Sequence, residues 1–98
     1  MNIDEMNSCI KEIADHFGTR NQQLKLIEEL SELIKELALD VANDRDITDK
    51  TISEIADVNI LINQILYRAG DDTKEKVKQQ IEYKLERTIQ RINNGYYK

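Results

Sequence analysis

Apolar residues recur along this chain at alternating spacings of three and four, the period of an amphipathic helix. Ile3, Met6, Ile10, Ile13 and Phe17 make the first stripe, and Gly18 offers a stop. A second stripe, Ile27, Leu30, Ile34, Leu37 and Val41, predicts a helix over about Asn21 to Val41, with Leu26 and Leu33 widening its apolar face. The run Asn43-Asp44-Arg45-Asp46 reads as a polar loop. A third helix is predicted from Thr48 or Asp49, either a suitable cap, to about Ala69, ended by Gly70. Its apolar face is broad (Ile52, Ile55, Val58, Ile62, Ile65, Leu66, Ala69), with Ile60 and Leu61 outside it. A helix apolar on several sides belongs at a bundle centre or a subunit contact. The fourth helix follows the capping cluster Asp71-Asp72-Thr73, carries Val77, Ile81, Leu85, Thr88 and Ile92, and fades at Asn93-Asn94-Gly95. The tail Tyr96-Tyr97-Lys98 is left either disordered or packed on a partner subunit. Short connections between long amphipathic helices favour an antiparallel four-helix, all-α bundle.

The 98 residues suit one domain spanning 1–98. A chain this short has a marginal core, which favours oligomers: a homodimer or a dimer of dimers. There is no Pro or Trp, only three Gly, and 34% of residues are charged. No apolar run nears the roughly 18 residues of a membrane span, so no membrane partner is expected. Met1 to Glu5 carries acid instead of a basic leader, so no secretory signal is expected. Cys9, the single cysteine, can make neither an intrachain disulfide nor a thiolate zinc site by itself, and reads as a small core residue. A cytoplasmic location is the expectation. The net charge of −5 disfavours nucleic acid as a partner but not a small phosphorylated ligand, for which bound divalent cations would supply positive charge.

Acidic residues three apart share a helical face. Five such pairs occur, at 12/15, 29/32, 46/49, 54/57 and 72/75, a number that 19 acids in 98 residues can give by chance. The pairs 46/49 and 72/75 lie at loops or helix starts, where acids cap and complement the dipole. Glu12 and Asp15 sit beside Lys11 and His16 near a helix end and read as solvated. Glu54 differs: at 100° per residue it lies about 70° from the middle of the apolar face. Leu61 projects between Glu54 and Asp57, and Val58 and Ile65 flank Glu54. A carboxylate so placed is partly desolvated and calls for a metal ion or a basic group. Glu28, Glu29, Glu32 and Glu36 point away from the main seam of the second helix, as a solvated acidic face would. They reach a shared centre only if the third helix packs there, which bordering Leu26, Leu33 and Leu39 allow. Four convergent carboxylates would suit a hard cation such as Mg²⁺, with Mn²⁺ as a substitute.

The segments "QLKLIEELSELIKEL" and "ISEIADVNILINQIL" resemble the EExxE and ExxD signature of the MazG-like, all-α nucleotide pyrophosphohydrolases, with 21 residues between Glu32 and Glu54. "YKLERTIQRI" resembles that family's basic closing helix, so the resemblance runs from about Phe17 to Ile92. It implies Mg²⁺-dependent hydrolysis of a nucleoside or deoxynucleoside triphosphate to monophosphate and pyrophosphate. It implies Glu29, Glu32, Glu54 and Asp57 as metal ligands. Glu28 or Glu32 would orient or deprotonate the attacking water. Lys84, Arg87 and Arg91, on one edge of the fourth helix, would neutralise the polyphosphate, although an ordinary solvated basic face has the same spacing. Lone His16 reads as a surface residue. Gln23, Asn59, Asn63 and Gln64 offer amides to a nucleotide or a subunit contact, but a surface glutamine is the plainer reading of Gln23. Tyr67 and Tyr83 can stack on a base, with packing the stronger expectation.

Three alternatives stand beside this reading. The related phosphoribosyl-ATP pyrophosphohydrolases share an acidic helix pair, but "EIADVNIL" lacks the histidine of their third helix. A di-iron carboxylate bundle needs Glu-x-x-His twice, which one histidine cannot supply. A non-catalytic helical oligomerisation module would need no converging carboxylates at all.

Overall fold

The computed structural model describes residues 1–97; the expectation for the tail falls in part on Lys98, outside the described residues. The order is α1 (Ile3–Phe17), α2 (Thr19–Ala42), α3 (Asp49–Ala69) and α4 (Asp71–Asn93), with no strand among the described residues. The fold is all-α, and none of these helices is long and apolar enough to cross a membrane. The chain divides into two compact units, Met1–Arg68 and Ala69–Lys98.

Local chemistry sets the helix ends. Asn2 caps α1, its Oδ1 accepting from the Glu5 amide at 2.8 Å. Gly18 has φ +80°, a conformation that strains any residue with a Cβ. This lets one residue end α1, donating its N–H to the Ala14 carbonyl, and start α2. α2 consequently begins two residues before the predicted Asn21. Gly70 (φ +98°) stands at the N-cap of α4. Asp71 and Asp72 therefore lie in the first turn, complementing the dipole, instead of capping with their side chains.

In the first unit α1 and α2 turn inward other faces than their apolar stripes predict, while α3 keeps part of its predicted face inside. On α2 the less exposed residues are Gln22, Leu26, Glu29, Leu33, Glu36 and Asp40, a regular four-three alternation. The predicted stripe lies outward, with Ile34 66% and Val41 81% exposed. On α3 Thr51, Val58, Leu61 and Gln64 are buried and Glu54, Ile55, Ile65 and Leu66 half-buried, so Val58 of the predicted face is core, Leu61 joins it, and Ile52 and Ile62 are exposed. On α1 the buried residue is Ala14, while Ile3, Met6, Ile13 and Phe17 are exposed. The physical reason lies between α2 and α3. Buried Asp40 accepts from Thr51 Oγ1 at 2.6 Å and from Arg45 Nε at 3.0 Å, a charge-assisted cluster that fixes the rotation of both helices. At the other end Arg68 Nε donates to Thr19 Oγ1 at 3.3 Å. The pairings 40 with 51 and 19 with 68 make α2 and α3 antiparallel.

α1 is tied to the end of α3 by Asp15, which accepts from the Tyr67 hydroxyl at 2.8 Å and from Arg68 Nη1 at 3.0 Å. Asp15 is exposed, as expected, and also carries this tie. Those two donors, the Tyr67 hydroxyl foremost, hold its carboxyl below the usual range. Tyr67 serves packing here, and its hydroxyl is pushed up by the same contact. Cys9 is half-buried.

The second unit is α4 with its tail. Within it Arg87 lies over the Tyr83 ring at 5.6 Å and Arg91 over the Tyr96 ring at 4.9 Å, both cation–π distances. The rings of Tyr96 and Tyr97 meet edge to face. Ile81, Leu85, Ile89 and Ile92 are exposed along one flank.

Candidate functional site

Three carboxylates converge between α2 and α3. Glu29, Glu54 and Asp57 each offer an oxygen within 4.8 Å of the other two. The inward rotation of α2 turns Glu29 toward α3, leaving its side chain 12% exposed. The 54/57 pair meets it because i and i+3 share a face. Glu28, on the far side of Glu29, stays exposed and pairs with Lys25 at 3.4 Å. Glu32 is also exposed and is not one of the three converging groups. Its charge is nonetheless among those felt by Glu54.

The electrostatics follow from crowding. A hydrogen bond shared with Glu29, then burial, then the charges of Glu29, Asp57 and Glu32 push the Glu54 carboxyl up to about 7. The same hydrogen bond, with help from Lys25, holds Glu29 below its usual range. Lys25 Nζ lies 3.2 Å from Glu29 and 3.4 Å from Glu28, and these contacts, Glu29 foremost, raise its pKa. Glu54 Oε2 is buried with no hydrogen-bond partner. An unpaired buried carboxylate oxygen beside two more carboxylates is unfavourable unless a proton or a cation joins them. The donor set is oxygen only and part-buried, as a hard divalent cation requires. The three residues can therefore hold a metal ion.

The cluster opens on a cleft of about 580 Å³ lined by Ile13 and Phe17 of α1, Asn21, Gln22, Lys25 and Glu29 of α2, and Asp57, Ile60, Leu61 and Gln64 of α3. Its size suits a small-molecule ligand. One end is acidic, and the other combines apolar side chains with amides.

Several of these residues escape the sequence reading. Gln22 is 4% exposed and lines the cleft, while its neighbour Gln23, the glutamine singled out from sequence, is exposed. Lys25 was legible in principle: it stands three and four residues before Glu28 and Glu29, the spacing of helical ion pairs. Asn59 and Asn63 donate to the backbone carbonyls of Ile55 and Asn59 in their own helix, and Gln64 alone of the three α3 amides lines the cleft. His16 is exposed, its ring edge-on to Phe17. Lys84, Arg87 and Arg91 belong to the second unit.

Comparison with family models, with curated proteins and with solved structures returns no match for this chain.

Proposed function

We propose that this chain is a divalent-cation-dependent nucleotide pyrophosphohydrolase that splits a nucleoside or deoxynucleoside triphosphate into monophosphate and pyrophosphate. The observation that carries the reading is the convergence of Glu29, Glu54 and Asp57 within 4.8 Å at one end of a ligand-sized cleft, with an unpartnered Glu54 oxygen among them. Structural acids of this protein behave otherwise: Asp40 and Asp15 are both satisfied by protein donors.

In this proposal Glu29, Glu54 and Asp57 hold Mg²⁺, or Mn²⁺ in its place, and the phosphates lie at their end of the cleft. A cation held by these three residues would supply positive charge against the phosphate oxygens and would favour ionisation of the attacking water. Water adds at the α-phosphorus, the bond to the bridging α–β oxygen breaks, and pyrophosphate leaves. Glu32 or Glu28 accepts the water proton. Glu32 is favoured because Glu28 is engaged by Lys25. Lys25 offers a cation beside the leaving group once phosphate competes for its carboxylate partners. Lys84, Arg87 and Arg91 belong to the second unit and are given no part at this cleft. The outward stripe Ile27, Leu30, Ile34, Leu37 and Val41 is assigned to a second copy of the chain, since monomeric proteins seldom leave so continuous an apolar row in water.

The test is a panel of nucleoside and deoxynucleoside triphosphates with Mg²⁺, reading pyrophosphate. Release that stops on chelation and in Glu54→Gln is expected. Turnover that persists in Glu54→Gln would refute the site, and no turnover of any triphosphate would refute the activity.

A further inference from the structure

The end of the cleft away from the carboxylates carries an unsatisfied group. Gln22 is 4% exposed and its Oε1 is buried with no hydrogen-bond partner. A buried amide oxygen left unpaired is unfavourable, and native interiors seldom keep one without a use. Torsion about the terminal sp³–sp² bond of glutamine is soft, so the amide can turn toward the cleft it lines.

The helical register places this group relative to the metal ligands. Gln22 and Glu29 are seven residues apart on α2, two turns or about 10 Å along one face. Gln64 and Asp57 have the same separation on α3, and Gln64 is 2% exposed. Because α2 and α3 run antiparallel, both glutamines fall at the same end of the cleft. Phe17, Ile13, Ile60 and Leu61 line the cleft with them, apolar surface suited to a flat ring. The span from amides to carboxylates matches that from the edge of a nucleobase to its first phosphates.

We infer that Gln22 is the specificity-determining residue of this cleft, its amide oxygen accepting a hydrogen bond from an N–H group on the edge of the substrate's base. The inference rests on the nucleotide reading above and adds to it what the far end of the cleft recognises. A site built to pair with an N–H group rejects a ring that lacks one, because its own acceptor then stays unpaired.

The experiment measures calorimetric binding, with Mg²⁺, of non-hydrolysable α,β-methylene triphosphates to wild type, Gln22→Leu and Gln22→Met. The bases are adenine, guanine, cytosine and uracil, with purine and 2-pyrimidinone as rings without an N–H donor, and inorganic tripolyphosphate probes the metal end alone. Wild type should bind its preferred natural base about 10- to 100-fold more tightly than the donorless ring of the same size. Both variants should cut that ratio to within about threefold while binding tripolyphosphate as wild type does. Both should also melt no lower than wild type, since Oε1 makes no bond in the free protein. A preference that survives both substitutions overturns the role of Gln22 and leaves the pyrophosphohydrolase reading standing. Tripolyphosphate that binds wild type as tightly as any nucleotide does likewise, since the base then adds nothing to affinity. Failure of wild type to bind any of these ligands overturns both.

Discussion

Affinity of the carboxylate centre for a divalent cation should rise about tenfold between pH 6 and pH 8. A cation competes with the proton of Glu54, so binding tracks the ionised fraction of Glu54. With its pKa at about 7, that fraction is about one-tenth at pH 6, one-half at pH 7 and nine-tenths at pH 8. Most of the change, about fivefold, therefore falls between pH 6 and pH 7, with less than about twofold above. At pH 7 about half a proton should leave for each Mg²⁺ or Mn²⁺ bound. Titration calorimetry in two buffers of different ionisation enthalpy reads both the affinity and the proton count. Stability of the metal-free protein should move the other way. The folded value lies above the ordinary 4.5, so the stability from protonated Glu54 is fully present below that value and is lost as pH rises through about 7. Glu29, Asp15 and Asp40, all lowered, contribute stability that is lost only as pH falls below the ordinary carboxylate range, outside this window. Affinity that stays flat from pH 6 to pH 8, or a slope that persists in Glu54→Gln, would refute this account of the centre.

Glu54→Gln should leave helicity by circular dichroism unchanged and raise the metal-free Tm at pH 8, since it removes a charge crowded by Glu29, Asp57 and Glu32. It should also abolish the rise in Tm that millimolar Mg²⁺ gives wild type. Thr51→Val deletes the 2.6 Å bond to buried Asp40 and should lower Tm by roughly 5–15 °C; an unchanged Tm would mean that this contact does not hold α2 against α3. Ile34→Lys, in the outward stripe, should halve the mass seen by sedimentation equilibrium. A wild-type mass near 11.5 kDa would instead remove the homodimer from the proposal.

Much of the architecture is written locally. Three-four spacing specifies the four helices, and Gly18 and Gly70 specify two of their boundaries, because only glycine adopts a positive φ there without strain. The unusual status of Glu54 is also readable: its offset from the apolar face of α3 implies partial desolvation, and the structure sets it beside Glu29 and Asp57 and leaves one oxygen unpartnered. Which side of α2 faces α3 is not readable locally. That helix is apolar along Ile27, Leu30, Ile34, Leu37 and Val41, and again along Leu26 and Leu33, so local patterning supports either rotation. The choice is made by groups far apart in the chain: the charge-assisted contact of Asp40 with Thr51 and Arg45, and the tie from Arg68 to Thr19. That rotation brings Glu29 into the centre and leaves Glu28 outside it. It also buries Gln22 and leaves Gln23 in water, since neighbours on a helix point about 100° apart. The sequence alone thus determined the helices and marked Glu54 as a desolvated acid, while the long-range polar contacts between α2 and α3 decided which of the remaining acids and amides joined it.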